Sequence, residues 1–142
     1  MKVVDVNVLI YAVNRRSAHH EKVRQWWESA ISAGESIGLA WVVIVGFLRL
    51  TTQRGVLDRP VTPEVAIALV DDWLAQPNTR LLSELDGHWD LLRGFLQQVG
   101  TAGNLTNDAH LAAIAIANGA TLVSADRDFS RFTGLRWENP ID

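Results

Sequence analysis

Residues 106–128, TNDAHLAAIAIANGATLVSADRD, read in succession as a helix, a sharp stop and a short strand. Thr106 is placed to cap the helix, the Ala/Ile/Leu run continues it, and Asn118-Gly119 stops it. Thr121, Leu122 and Val123 then form an unalternating apolar run, which suits a strand buried on both faces. The same alternation extends outward in both directions. Further short strands are expected at 2–4, 36–39 and 79–82, with a weaker one at 135–137. Helices are expected at 18–33, 41–50, 62–75, 86–99 and 106–118. The segment 41–50 is ambiguous, because the β-branched run 42–45 also suits a strand. Thr62 followed by Pro63 marks one helix start, and Asp86 is expected to cap another. Strands alternating with helices predict an α/β fold with a mainly parallel central sheet flanked by helices. In such sheets the functional crevice lies outside the carboxyl ends of the strands.

The chain has 142 residues, enough for one domain spanning 1–142 and too few for two comfortable ones. With 48% apolar and 20% charged residues it is an ordinary globular composition, which excludes a disordered or low-complexity class. Cysteine is absent, so disulfides, thiolate zinc sites and a cysteine nucleophile are excluded. The net charge of −3 excludes bulk electrostatic adhesion to nucleic acid, but not an enzyme with a local basic groove. All the basic side chains but Lys2 and Lys22 are arginines, which favours bidentate pairing with phosphate or carboxylate. The longest apolar run, 39–48, is far short of the ~20 residues of a spanning helix. The opening MKVVD is not that of a secretion signal, and the expectation is a cytoplasmic protein without membrane contact.

Three acids fall at the predicted crevice. Asp5 ends the first strand, Asp126 follows the strand 121–123, and Asp108 lies in the first turn of the helix before it. Asn7 and Asp128 stand two residues beyond Asp5 and Asp126 and can line the same edge. Singly, Asp108 is explained by the helix dipole, and Asp126 and Asp128 by turn formation. Together the acids are better explained as a site. Two carboxylates ~4 Å apart repel by roughly 4 kcal/mol at an effective dielectric of 20, so three stay ionised only with compensation. A hard divalent cation with oxygen ligands, Mg²⁺ or Mn²⁺, supplies it, takes phosphate oxygens at its open positions and lowers the pKa of a bound water. The pattern points to phosphodiester or phosphoryl chemistry. No G-x-x-x-x-G-K-[ST] loop is present, which removes Walker-type enzymes. Asp5-Val6-Asn7 lacks the second Asp of haloacid-dehalogenase-type phosphatases, and a receiver domain would need an acid pair and a late lysine.

The motifs VVDVNVLIYAVN (3–14), with its D-x-N-x-L core, and TNDAHLAAIAIANGATLVSADRDFSRF (106–132), with D-A-x-L-A-A-x-A and then S-x-D-x-D-F, resemble those of PIN-domain ribonucleases. Within that family they resemble the VapC-type toxins of VapBC toxin–antitoxin pairs. GLRWENP (134–140) and FLRLTTQRGVLDRPVT (47–62) extend the resemblance over nearly the whole chain. It implies a three-layer PIN-like fold and a Mg²⁺- or Mn²⁺-dependent endoribonuclease that hydrolyses RNA by in-line attack of water. It also implies a homodimer inhibited by a cognate VapB-type antitoxin whose C-terminal segment covers the crevice. Carried over position by position, Asp5, Asp108 and Asp126 match the metal-binding acids, Asp128 a further acid, and Asn7 the polar residue that holds the site. One position departs: many members carry Glu directly before F-L-R, where this chain has Gly46. The alternatives are a PIN-like RNA-binding domain that lost cutting with that Glu, or, more distantly, a phosphatase-like α/β enzyme.

Other residues are weighed more evenly. Arg15 and Arg16, expected in a loop beside the first strand, are candidates for gripping RNA or simply a solvated pair. Arg49, on the segment bearing Gly46, suits a site acid or a surface ion pair. His88 and His110 have no second His at ligand spacing, so no zinc or general-base role is expected. Trp26 and Trp27 are adjacent and are not expected both to face inward.

Overall fold

In the computed structural model, which describes residues 1–142, five short strands form one sheet: β1 (Lys2–Val4), β2 (Ile37–Ala40), β3 (Thr79–Leu82), β4 (Thr121–Val123) and β5 (Trp137–Glu138). Their order is β3-β2-β1-β4-β5, and every ladder is parallel. Val3 and Val4 point to opposite faces, yet both are fully buried, so the sheet is covered on both sides. The cover is six helices: α1 (Val6–Val13), α2 (His20–Ser32), α3 (Trp41–Thr52), α4 (Pro63–Ala75), α5 (His88–Val99) and α6 (Thr106–Ala117). No helix is long and apolar enough to cross a membrane.

The expected parallel α/β architecture is present, with informative local differences. The ambiguous segment after β2 is helical; its face with Val43, Ile44, Phe47 and Thr51 is buried at helical spacing. Thr62 does cap α4, its Oγ1 accepting the Val65 N–H at 3.3 Å. Asp86 does not cap α5: Gly87, at φ +84°, precedes the helix and no side chain caps it. Thr106 is not a cap either; a 3₁₀ turn, Gly103–Leu105, runs directly into α6. Helix α1 has no counterpart among the expected elements. Asp5 caps it, Oδ1 accepting the Val6 N–H at 2.7 Å, so this acid does have a local structural partner.

The topology has one switch point. From β1 the chain steps to β2 and β3 on one side, then returns to place β4 and β5 on the other. The β1/β4 gap is therefore where the flanking connections diverge and leave a crevice at the carboxyl ends. Val4 pairs with Val123, so Asp5 and Ser124 emerge side by side at its base.

Candidate active site

A crevice of about 290 Å³ opens at the switch point, and Asp5, Asn7, Asp108 and Asp126 all line it. Asp5 forms its floor. It is buried, and besides capping α1 it accepts the Ser124 hydroxyl at 2.7 Å and the Asn7 side-chain N–H at 2.9 Å, both on Oδ2. The Asn7 amide also donates to Ser124 Oγ at 3.0 Å, and its carbonyl accepts the Ala125 N–H at 3.1 Å. Ser124 Oγ in turn accepts the Asp126 N–H at 3.0 Å, and Asp126 Oδ1 accepts the Asp128 N–H at 2.9 Å. The ends of β1 and β4 are thus stitched together by a network that fixes the Asp5 carboxylate and the turn carrying Asp126 and Asp128.

Asp108 enters from the first turn of α6. Carboxylate oxygens of Asp108, Asp126 and Asp128 lie within 4.8 Å of one another. Asp5 stands deeper, outside that triplet but close enough for its charge to be felt by Asp108. Burial, then repulsion from Asp126, Asp5 and Asp128, pushes the Asp108 carboxyl up to about 7. Asp5 is also raised, mainly by burial, with the Ser124 and Val6 hydrogen bonds opposing the rise and Asp126 adding to it. None of the four acids takes part in the molecule's ion pairs. Clustered carboxylates that form no ion pair and offer only oxygen donors have the donor set of a hard divalent-cation site, which would answer the repulsion seen in Asp108.

The rest of the crevice comes from α3 and the approach to α6. Val42, Gly46, Arg49 and Leu50 form one stripe of α3 along the wall, and Asn104 and Asn107 reach it from the 3₁₀ turn and α6. Gly46 therefore faces the crevice, and a Cβ there would meet only Val6, at 3.6 Å. Arg15 and Arg16 are not among the lining residues. They follow the far end of α1, whose eight residues run about 12 Å. There Arg16 pairs with Asp58 at 2.8 Å, both side chains exposed.

Two side-chain placements correct the expectations. His88 and His110, expected to be isolated, meet across the α5–α6 contact with Nε2 and Nδ1 2.8 Å apart, and His110 Nε2 lies 3.2 Å from Glu84. Trp26 and Trp27 both pack inward: Trp26 Nε1 donates to Glu138 at 2.6 Å, and Trp27 lies against Trp73. Ser124 is the site residue that sequence reasoning passed over. Its signal was present, as the serine of S-x-D-x-D-F directly after a buried strand.

This fold, with carboxylates gathered at the β1/β4 switch point, is that of the PIN domain, whose family model matches residues 2–135, and the chain belongs to that family. Within it the chain belongs with the VapC ribonucleases. It is 48% identical over 140 residues to ribonuclease VapC37 of Mycobacterium tuberculosis, covering 99% of this chain and 97% of that relative. Ribonuclease VapC33 of the same organism is 40% identical over 141 residues, covering 99% of each. Among solved structures, a chain of VapBC2 from Rickettsia felis, bound to a DNA fragment from their promoter, superposes with a TM-score of 0.72 over 97% of both chains. Its sequence identity is 22%, so that match speaks to the fold alone.

Proposed function

We propose that the chain is the ribonuclease toxin of a toxin–antitoxin pair and cuts RNA in a reaction dependent on Mg²⁺ or Mn²⁺. The observation that carries this reading is the convergence of Asp5, Asp108 and Asp126 on one crevice, with Asp128 beside the last two and none of the four in an ion pair, in a chain 48% identical to a VapC ribonuclease. Asp108, Asp126 and Asp128 would hold the ion from the rim, and Asp5 from the floor. A bound divalent ion supplies charge neutralisation, a site for phosphate oxygens and a bound water of lowered pKa. Asp5 is oriented by Ser124 and Asn7, so its carboxylate is fixed before any ligand arrives. One of the carboxylates would orient the attacking water. A single tightly held ion per protomer follows from Gly46, which leaves α3 without an acid. A VapB-type antitoxin that covers the crevice and a homodimeric state belong to the same proposal. Arg15 and Arg16 remain candidates for holding RNA beyond the crevice.

The test is cleavage of a structured RNA by purified protein with Mg²⁺, Mn²⁺ or EDTA, beside Asp5→Asn and Asp108→Asn. The expected result is cutting with either metal, lost in EDTA and reduced at least about 100-fold in both variants. RNA retention without cutting would instead favour the non-cleaving domain that Gly46 raises. Turnover of a small phosphate ester alone would favour a phosphatase. Calorimetry with Mn²⁺ and no RNA is expected to count one tight ion; two would overturn the single-ion reading.

A further inference from the structure

We propose that Arg49 is a substrate-contacting residue of this site, its guanidinium gripping a phosphate of the RNA that enters the acidic crevice; this rests on the ribonuclease reading above. Arg49 is the only arginine among the residues lining the acidic crevice. It lies in the last turn of α3, is exposed, and takes part in none of the molecule's ion pairs. An arginine that shares a crevice with three carboxylates and pairs with none of them is free to pair with an incoming anion.

The neighbouring wall explains why it is free. Gly46 precedes Arg49 by one turn on the same stripe, where an acidic side chain would be an i,i+3 partner for the guanidinium. Glycine leaves that partner out, and only Val6 is near enough to touch a side chain there. Electrostatics supplies the need. Four clustered carboxylates repel a phosphodiester, and a single divalent ion does not neutralise all of them together with the substrate. A fork of N–H donors on the α3 wall meets a phosphate bidentately and adds the missing positive charge where negative charge grows during hydrolysis.

The experiment compares wild type with Arg49→Gln and Arg49→Lys in three measurements: RNA cleavage with Mn²⁺, Mn²⁺ affinity without RNA, and the salt dependence of binding a single-stranded oligoribonucleotide in Ca²⁺. Arg49→Gln is expected to lose about 100-fold in kcat/KM, and Arg49→Lys to regain part of it by keeping charge without the fork. Mn²⁺ affinity is expected to hold or tighten, because a nearby positive charge has been removed. The slope of log Kd against log salt is expected to fall by about 0.7 in Arg49→Gln, the loss of one phosphate contact on a single strand. Cutting as fast as wild type, or an unchanged slope, overturns the proposal. So does a parallel loss of Mn²⁺ affinity and cleavage, since Arg49 would then act through the acids. If the wild type cuts no RNA the ribonuclease reading fails, and the salt slope still decides the role of Arg49.

Discussion

On the sheet side of the crevice, Asp5, Asn7, Ser124 and the backbone of the turn after β4 are bonded to one another. On the α3 side, Gly46 has no side chain and Arg49 no ionic partner. The first wall is finished before any ligand arrives, and its cost is stored as crowded negative charge. The second is left open. In the proposed reading, preorganisation of the groups that would hold the ion and adaptability toward the substrate are divided between β1/β4 and α3.

The comparison breaks most readily at Ser124. Its hydroxyl is fully buried and serves Asp5, Asn7 and the Asp126 backbone at once. Ser124→Ala leaves those groups short of partners, so a stability loss of about 1–3 kcal/mol is expected in urea unfolding. It also removes a bond that favours the ionised form of Asp5, so Mn²⁺ affinity is expected to fall about 10–100-fold. Wild-type affinity in this variant would mean that the network serves the fold and not the ion.

A smaller effect follows from the stored charge. The Asp108 carboxyl rises from its ordinary 3.8 to about 7 in the folded protein, so between those values the folded state binds more protons than the unfolded one. Stability without metal therefore declines as pH rises through that window. Asp108→Asn carries no charge to crowd. Its melting temperature is expected to gain on that of wild type from about pH 5 to about pH 8 without metal, and Mn²⁺ is expected to raise only the wild type appreciably. A difference that stays constant with pH would place the burden elsewhere than on Asp108.

Much of this arrangement was legible in the sequence, for physical reasons. Acids that directly follow short buried strands must lie at the carboxyl edge, and parallel pairing brings those edges together; this located Asp5 and Asp126. Asp108 was found through its place at a helix start, although Thr106 turned out not to be the cap. Helix α1 was hidden because Val6, Val8, Ile10 and Val13 are β-branched and weakly helical by propensity, and burial against the core overrides that preference. The His88–His110 contact depends on how α5 packs on α6, which no spacing rule reports. Trp26 and Trp27 both find cover because α2 lies between Trp73 of α4 on one side and Glu138 of β5 on the other.

The mildest test lies on the open wall. Gly46 is in the interior of α3 with no left-handed backbone requirement, and an added Cβ makes only ordinary contact with Val6. Gly46→Ala should therefore stabilise the protein by about 0.5–1 kcal/mol through the loss of glycine's unfolded-state freedom, seen as a higher urea midpoint with unchanged slope. Destabilisation would show that α1 and α3 need the bare Cα between them. Gly46→Glu makes the same backbone gain but adds a carboxylate to a crevice that already holds Asp5, Asp108 and Asp126. Without metal its gain should fall short of alanine's; with Mn²⁺ it should exceed it, and calorimetry should register a second ion. If the glutamate variant binds no more Mn²⁺ than wild type, the α3 wall has no part in holding ions, and the division of labour between the two walls is stricter than Gly46 alone implies.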